Sequence, residues 1–252
     1  MIIDAATRED IPALRRLWKE AFGDTDAFLD LFFSAGFSPA RCRTVREGDT
    51  LLGALYWFDC LWEGKRLAYL YAVATANAFR GQGVCARLMA DTHRHLRSLG
   101  FSGAVLVPGS DALFNMYEKL GYARFGGIAE VSATAGAIPI SVQQITAADY
   151  MAKRNAFLPA GSVLPGEATL PFLSSLLTFY EGEGWLLAAA IEDGRLVGKE
   201  FLGDSAQLPG ILNALGMGKG IFYTPGAERP FAMFRHFGNC AAMPAYFAFA
   251  LD

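Results

Sequence analysis

The sequence is short of the residues that build metal sites, disulfide frameworks and basic nucleic-acid surfaces. It has four cysteines and three histidines in 252 residues, and 22 Lys plus Arg stand against 25 Asp plus Glu. The cysteines contain no Cys-x-x-Cys pair, so the common zinc spacings and a disulfide scaffold are excluded. A net charge of −3 argues against a protein that holds nucleic acid through bulk charge. We predict no metal, no nucleic-acid partner, and buried thiols in a reducing cytoplasm.

Long hydrophobic runs are missing as well. The longest apolar stretches, such as residues 185–191, are far too short to span a bilayer. The N-terminal residues carry acids and no basic-then-apolar run, so we expect neither a signal peptide nor a membrane partner. His93 and His95 are two apart and would point in different directions on a helix, so solvated or half-buried side chains are expected. With 53% hydrophobic residues the chain can bury a sizeable core, as one large domain or two small ones.

Hydrophobic periodicity predicts an α/β fold in the first half. The predicted order is strand, two helices, three strands, a loop, then helix, strand, helix and strand. Thr7 and Asp10 are typical of a helix N-terminus, and the Gly-containing turn at 47–49 predicts a hairpin. Alternating apolar residues over 66–75 predict the strand that leads into the loop.

The loop at residues 79–85, FRGQGVC, lies between that strand and an amphipathic helix. A helix N-terminus offers unpaired N–H groups and the positive end of a dipole, so it attracts phosphate. Gly81 and Gly83 would let the backbone approach a pyrophosphate without Cβ clashes, and Arg80 adds a permanent positive charge. The pattern therefore predicts a phosphate-binding loop.

Two motifs carry a resemblance to a known family. Arg80 to Cys85 resembles the pyrophosphate loop, Gln/Arg-x-x-Gly-x-Gly/Ala, of the GNAT superfamily of acyl-CoA-dependent N-acyltransferases, with Cys at the last position. Residues 114–122, FNMYEKLGY, are similar to the family's Tyr-x-Lys-x-Gly-Phe/Tyr segment and follow a predicted strand. The resemblance covers about residues 1–130.

The resemblance implies a mixed sheet flanked by helices, with acetyl-CoA in a V-shaped gap between strands 67–75 and 104–107. A primary amine, on a small molecule or a peptide, would attack the thioester directly. Tyr117 matches the family's general-acid position, where the departing thiolate needs a proton. The implied acetyl-CoA contacts are Val73, Arg80, Gly81, Gln82, Gly83, Val84 and Cys85.

The second half resembles a reduced copy of the first. Residues 225–234 align without gaps on 108–117, Thr146 and Asp149 fall on Thr7 and Asp10, and residues 193–198 mirror the hairpin around 51–53. The missing part would be the pyrophosphate loop and much of its helix. The Gly-rich run 216–220 is interpreted as a turn into a strand. We predict a complete domain at 1–130 and a degenerate one at 139–252, a tandem that resembles the Eis-like branch of the family.

The general base is the open question. The strand before the loop offers Tyr69 and Tyr71 but no acid, and Asp59 and Glu63 flank the turn before it. The Eis-like branch implies another candidate, the C-terminal carboxylate at Asp252. We disfavour Cys85 as an acylated nucleophile, because the loop alone explains a small residue there.

Two alternatives stay open at this point. One is a non-catalytic acyl-CoA-binding sensor, and the other is an interaction module whose second half binds a partner. Aromatic residues in the predicted strands could line an acceptor pocket, although core packing explains most such residues. They are Tyr56, Trp57, Trp62, Tyr69 and Tyr71.

Overall fold

The computed structural model describes residues 1–238 and 242–247. The elements of the first half follow the predicted order. They are β1 (Ile2–Ala5), α1 (Ile11–Phe22), α2 (Asp26–Leu31), β2 (Cys42–Glu47), β3 (Thr50–Trp62), β4 (Lys65–Thr75), α3 (Val84–Ser98), β5 (Gly103–Leu106), α4 (Asp111–Lys119) and β6 (Ala123–Thr134). The second half contains β7 (Gln143–Ile145), α5 (Ala147–Arg154), β8 (Leu164–Pro165), α6 (Leu170–Leu176), β9 (Thr178–Gly182), β10 (Trp185–Glu192), β11 (Arg195–Leu202), α7 (Leu208–Ala214), β12 (Lys219–Pro225) and β13 (Arg229–His236).

The chain divides into two compact units, each assembled from separate stretches of sequence. The first unit comprises residues 1–123, 164–172, 233–238 and 242. The second unit comprises residues 124–163, 173–232 and 243–247. The compact units interleave along the chain, so their bounds differ from the predicted domains at 1–130 and 139–252. That division, which came from the repeated sequence, stays a prediction.

The first unit is built on a mixed sheet with strand order β1-β2-β3-β4-β5-β13. Neighbouring strands run antiparallel except β4 and β5, which are parallel. The last strand comes from far along the chain: Met233–His236 pair antiparallel with Leu106–Gly103. Helices cover both faces because alternate strand residues point to opposite sides.

The two faces of this sheet carry different cores. On one face α3 and α4 bury Leu88, Met89 and Tyr117 against strand residues such as Trp57 and Leu70. On the other face α1 and α2 pack an aromatic cluster, in which the Trp18 and Phe32 rings lie 4.5 Å apart and each lies within 6 Å of the rings of Tyr56 and Tyr71. The sequence positions of both helix sets follow the predicted 3.6-residue periodicity.

The second unit repeats much of this topology. Its strand order is β6-β12-β11-β10-β9-β7, and β11–β12 is its parallel pair. Helix α7 packs Leu208 and Ile211 against Trp185, Phe201 and Phe222. Apart from the two-residue strand β8, the element order from β7 to β12 matches that from β1 to β5, and β12 leads to β13 without a helix in the position of α4.

Two of the repeat alignments are wrong as structural correspondences. Residues 229–236 form the strand β13, whereas residues 111–119 form the helix α4. The turn at Asp193-Gly194 has φ values of 49° and 72°, matching the 47° and 74° of Glu63-Gly64. It therefore corresponds to the β3–β4 turn, because β11 resembles β4 in pairing parallel with the next strand. The third match holds locally: Thr146 accepts a hydrogen bond from the Asp149 N–H at 3.1 Å, as a helix N-cap does.

Most of the described cysteines, and one of the histidines, are buried. Cys42 and Cys60 are buried free thiols and Cys85 is a half-buried one, while Cys240 lies outside the described residues. The expectation for His93 is wrong, because its side chain is only 6% exposed. Within residues 1–238 and 242–247, no group of three or more His, Cys, Asp or Glu side chains could hold a metal ion. No helix in this described part is long and apolar enough to cross a membrane.

Candidate active site

The parallel strands β4 and β5 separate after a short paired stretch. Their register runs from Leu67 opposite Gly103 to Tyr69 opposite Val105, three pairs in all. Beyond this point β4 continues to Thr75 while β5 ends at Leu106. The opening between the two strands is where the sequence motifs imply a V-shaped gap.

A β-bulge interrupts β4 at this opening. Ala54 pairs with Ala74 and Tyr56 with Tyr71, so Ala72 and Val73 together face a single residue of β3. Ala72 has a φ of 47°, an uncommon conformation for a residue with a Cβ. A bulge removes backbone groups from the regular ladder, and both residues are half-buried rather than buried. Backbone near Val73 is thereby available to pair with an extended ligand that carries amide groups.

The glycine-rich loop leads from β4 into α3. Gly81 and Gly83 adopt left-handed conformations, with φ values of 74° and 76°. A Cβ built on either glycine would meet no atom within 4 Å, so the space in front of the loop is open. The segment that leads into the loop is anchored by Glu20 of α1, whose carboxylate accepts a 2.6 Å hydrogen bond from the Asn77 N–H.

Helix α3 begins without a side-chain cap, because its N-cap residue is Gly83. The first N–H groups of a helix have no intrahelical partner and carry the positive end of the dipole. Arg80 is exposed and its Nε donates to the Thr75 carbonyl at 3.2 Å, and Gln82 donates to the Ala78 carbonyl at 3.0 Å. The loop therefore combines open N–H groups, a guanidinium and empty space, which suits a phosphate group.

The last two loop positions point toward the core. Val84 is 2% exposed and belongs to the core under α3, so its backbone is what it can offer a ligand. Cys85 packs against the same core. Burial raises the pKa of its thiol to about 11, so the sulfur is protonated at neutral pH. A protonated thiol is a poor nucleophile.

Tyr117 lies on α4 with a side chain that is 6% exposed. Its ring makes an edge contact with Tyr122, with centroids 5.8 Å apart. The Tyr122 hydroxyl lies 2.7 Å from Nε2 of His93, a buried pair that sequence reasoning missed. Burial, with the positive charges of Arg235 and Arg97, lowers the pKa of His93 to about 3. Tyr117 is thus held in a packed environment behind the loop helix.

The aromatic residues proposed for an acceptor pocket divide between different surroundings. Tyr56, Tyr69 and Tyr71 lie with the aromatic cluster on the α1–α2 face. Trp57 belongs to the opposite core, under α3, and Trp62 is buried against Phe234 at 5.5 Å. The structure therefore brings together the three tyrosines, and the two tryptophans are packing residues.

Phe172 also packs in the aromatic cluster on the α1–α2 face, and the sequence analysis did not predict this contact. Its ring stacks on Phe58 at 5.8 Å and 12°, and it contacts Phe32 at 5.5 Å. It reaches the first unit through the segment 164–172, whose β8 pairs with β3. No local pattern signals this contact, because the segment is remote in sequence from the strands it covers.

The two candidate general bases in the described residues, Asp59 and Glu63, lie far from the opening between β4 and β5. Asp59 pairs with Ala68, on the closed part of β4, which puts it roughly 15 Å along the strand from Val73. Its carboxylate accepts a 3.1 Å hydrogen bond from Arg41 Nε and lies 3.5 Å from Arg66. Glu63 is in the β3–β4 turn, further still from the opening. The structure brings neither acid to the loop, and Asp252 lies outside the described residues.

The sequence was compared with protein-family models and with curated proteins. Residues 3–125 match the family model described as an acetyltransferase (GNAT) domain. No curated protein sequence matches the chain.

Several solved structures have a similar fold over nearly the whole chain. A GCN5-related N-acetyltransferase from Anabaena variabilis has a TM-score of 0.75 at 16% identity, covering 95% of this chain and 73% of that one. One from Kribbella flavida has a TM-score of 0.70 at 20% identity, covering 93% and 70%. Eis1 from Mycobacterium abscessus has a TM-score of 0.65 at 14% identity, covering 94% and 74%. The resemblance found in the two motifs and the predicted mixed sheet flanked by helices are confirmed.

Proposed function

Because this chain carries a GNAT-family acetyltransferase domain at residues 3–125, we propose that it transfers an acetyl group from acetyl-CoA to a primary amine by direct attack. The acceptor amine is carried by a small molecule or a peptide. The reaction needs an uncharged amine, a stabilised oxyanion and a proton for the departing thiolate.

The open N-terminus of α3 is the observation that carries this proposal. Gly83 caps the helix with no side chain, and a Cβ built on it would meet no atom within 4 Å. The first N–H groups of α3, with Gly81, Gln82 and Arg80, would hold the pyrophosphate. Backbone groups of Val73 at the bulge would pair with the amide-bearing arm, and the bound acetyl-CoA supplies the thioester.

Tyr117 is the proposed general acid. Its phenol would donate the proton that the thiolate takes up as the tetrahedral intermediate collapses. Direct attack agrees with the state of Cys85, the thiol of the loop, because a pKa of about 11 leaves it protonated. An acyl-cysteine intermediate is therefore disfavoured.

The base that removes the amine proton is proposed to be the carboxylate at Asp252. Asp59 is a poor alternative, since two arginines hold its carboxylate and it stands at the closed end of β4. We also propose that the protein works in a reducing cytoplasm, which agrees with the free thiols of Cys42, Cys60 and Cys85.

A non-catalytic acyl-CoA-binding sensor is the second candidate. It is favoured by the strand β4, whose residues beyond Tyr69 include no carboxylate. Such a protein would bind acetyl-CoA through the same loop and would release no free thiol when amines are added.

The deciding experiment measures CoA thiol release with a panel of primary amines, together with a melting curve in acetyl-CoA. The proposal predicts a raised melting temperature and at least one amine that increases thiol release above hydrolysis. Stabilisation without any amine-dependent turnover would support the sensor. No stabilisation by acetyl-CoA would contradict both.

A further inference from the structure

A pocket on the first unit, along one side of α3, is lined by cationic side chains. It encloses about 190 Å³ between α3, the end of α4 and the end of β13. Arg94, Arg97, Arg235 and His236 line it above an apolar floor that includes the buried side chains of Met89 and Phe237. None of the described residues that line this pocket is acidic.

The positive charge in this pocket is only partly compensated. Arg94 lies 3.1 Å from Asp91, but the same Asp91 also holds Arg43 at 2.5 Å. Arg235 donates to the Leu120 carbonyl, which is a neutral acceptor. Arg97 is exposed, lies 6.0 Å from the Phe237 ring, and forms no ion pair with any described residue. A buried apolar floor beneath such groups strengthens their attraction for an anion.

The donors are suited to oxygen ligands. A guanidinium presents a planar fork that matches the oxygens of a phosphoryl group. Nδ1 of His236 accepts a 2.9 Å hydrogen bond from the Gly238 N–H, so in the neutral ring Nε2 carries the proton and is a donor.

His93 also lines the pocket, and its pKa is lowered by burial and by the positive charges around it. The charges of Arg235 and Arg97 add to burial in disfavouring its imidazolium form. His93 therefore stays neutral and contributes no charge of its own. An anion in the pocket would relieve the repulsion that these arginines exert on one another.

The pocket lining begins at Ala86, two residues beyond Val84, but the end that Arg97 lines is distant from the proposed acetyl-CoA loop. Arg97 lies thirteen residues beyond Val84, roughly 20 Å along the axis of α3. Pockets for drug-sized ligands have about 300–1,000 Å³, so this one suits only a small ligand. We propose that the pocket is a second binding site, which takes a small phosphoryl anion such as inorganic phosphate or a short phosphomonoester.

The test is calorimetric titration of the full chain with inorganic phosphate and, separately, with glycerol 3-phosphate. We expect Arg97→Gln to weaken binding at least tenfold, and Arg94→Gln to weaken it by a smaller factor. Arg16→Gln is the matched control, because Arg16 is exposed on α1, loses the same charge and does not line the pocket. Tighter binding of glycerol 3-phosphate than of phosphate would identify a phosphomonoester site, and the reverse order a site for free phosphate.

Gly83→Asp separates the pocket from the loop, since it places a carboxylate at the N-terminus of α3. The proposal predicts that this variant still binds phosphate. It is overturned if Gly83→Asp abolishes binding while Arg97→Gln keeps it, because the anion would then occupy the loop. Equal responses to phosphate and to chloride at matched ionic strength would also overturn it, as would no binding at all.

Discussion

The two units place a helix at the same topological position, and the two helices begin differently. In the first unit α3 has 15 residues and begins at Gly83, which leaves the helix N-terminus open. In the second unit the corresponding α7 has 7 residues, and the short turn before it is capped by Asp204, whose carboxylate accepts the Ala206 N–H at 2.9 Å. The second unit thus supplies its own anion where the first leaves room for one. Two helical segments at equivalent positions therefore differ in whether a side chain occupies their first N–H groups.

The interiors of the two units differ as well. The first unit buries aromatic and aliphatic side chains on both faces of its sheet. The second contains a fully buried ion pair, in which Arg154 donates to Glu200 at 2.6 and 2.7 Å with both side chains at most 1% exposed. Tyr150 donates to the same carboxylate at 2.8 Å. The second unit has an ionic centre that the proposed chemistry does not use, which suggests a structural role.

The largest expected effect comes from breaking this ion pair. Glu200→Gln keeps the shape but leaves the buried charge of Arg154 without its counter-charge. Loss of one partner of a buried pair costs about 3–5 kcal/mol, so the free energy of unfolding should fall by that amount in urea titrations.

Glu192→Gln is the matched control for this change. Glu192 forms a partly exposed ion pair with Lys199 at 2.9 Å in the same unit. Such surface pairs contribute about 0–1 kcal/mol. Equal effects of the two substitutions would show that the Glu200 network is not what stabilises the second unit.

The next largest effect is expected on turnover in the first unit. Tyr117→Phe removes the proposed acid and keeps the ring, so kcat should fall about 100-fold with little change in acetyl-CoA affinity. Tyr122→Phe removes the hydroxyl beside His93 and should lower stability by about 1–3 kcal/mol while sparing kcat. A drop of less than about threefold in a stable Tyr117→Phe protein would make Tyr117 a packing residue.

The pH dependence of stability should also distinguish the first unit. His93 has a folded-state pKa of about 3, below its ordinary value, so between these values the unfolded state binds more protons. The contribution of His93 to stability is fully present above pH 6.5 and should decline on acidification by up to about 1.4 kcal/mol per pH unit.

Urea titrations at pH 7, 6 and 5 measure this slope. His93→Gln should reduce it, with His95, whose pKa is also lowered by burial, contributing to the remainder. Identical slopes in the wild type and the variant would exclude His93 as the source.

Local signals predicted the ends of helices better than they predicted contacts between distant segments. Thr7, Gly83 and Gly100 act on the backbone next to them, so the ends of α1 and α3 follow from the sequence. The pairing of β13 with β5 and the contact of Phe172 with Phe58 join distant segments, and no short pattern encodes them.

The failed alignment of 225–234 has a physical cause. Ten residues that begin with Pro-Gly and contain apolar positions are compatible with a helix or a strand. Residues 233–236 form a strand because they pair with β5 through backbone hydrogen bonds along its edge. His93 was misjudged for a similar reason, since its burial depends on Phe237 and Tyr122.

The most direct test of the central claim is the stoichiometry and affinity of acetyl-CoA in calorimetry. We predict one site per chain, and a Gly83→Asp variant that binds at least tenfold more weakly, which is about 1.4 kcal/mol. Gly83→Asn is the matched control, because asparagine also tolerates the left-handed conformation and lacks the charge. Asp204→Asn, at the corresponding position of the second unit, should leave the affinity unchanged. Two sites per chain, or a folded Gly83→Asp protein with unchanged affinity, would contradict the account.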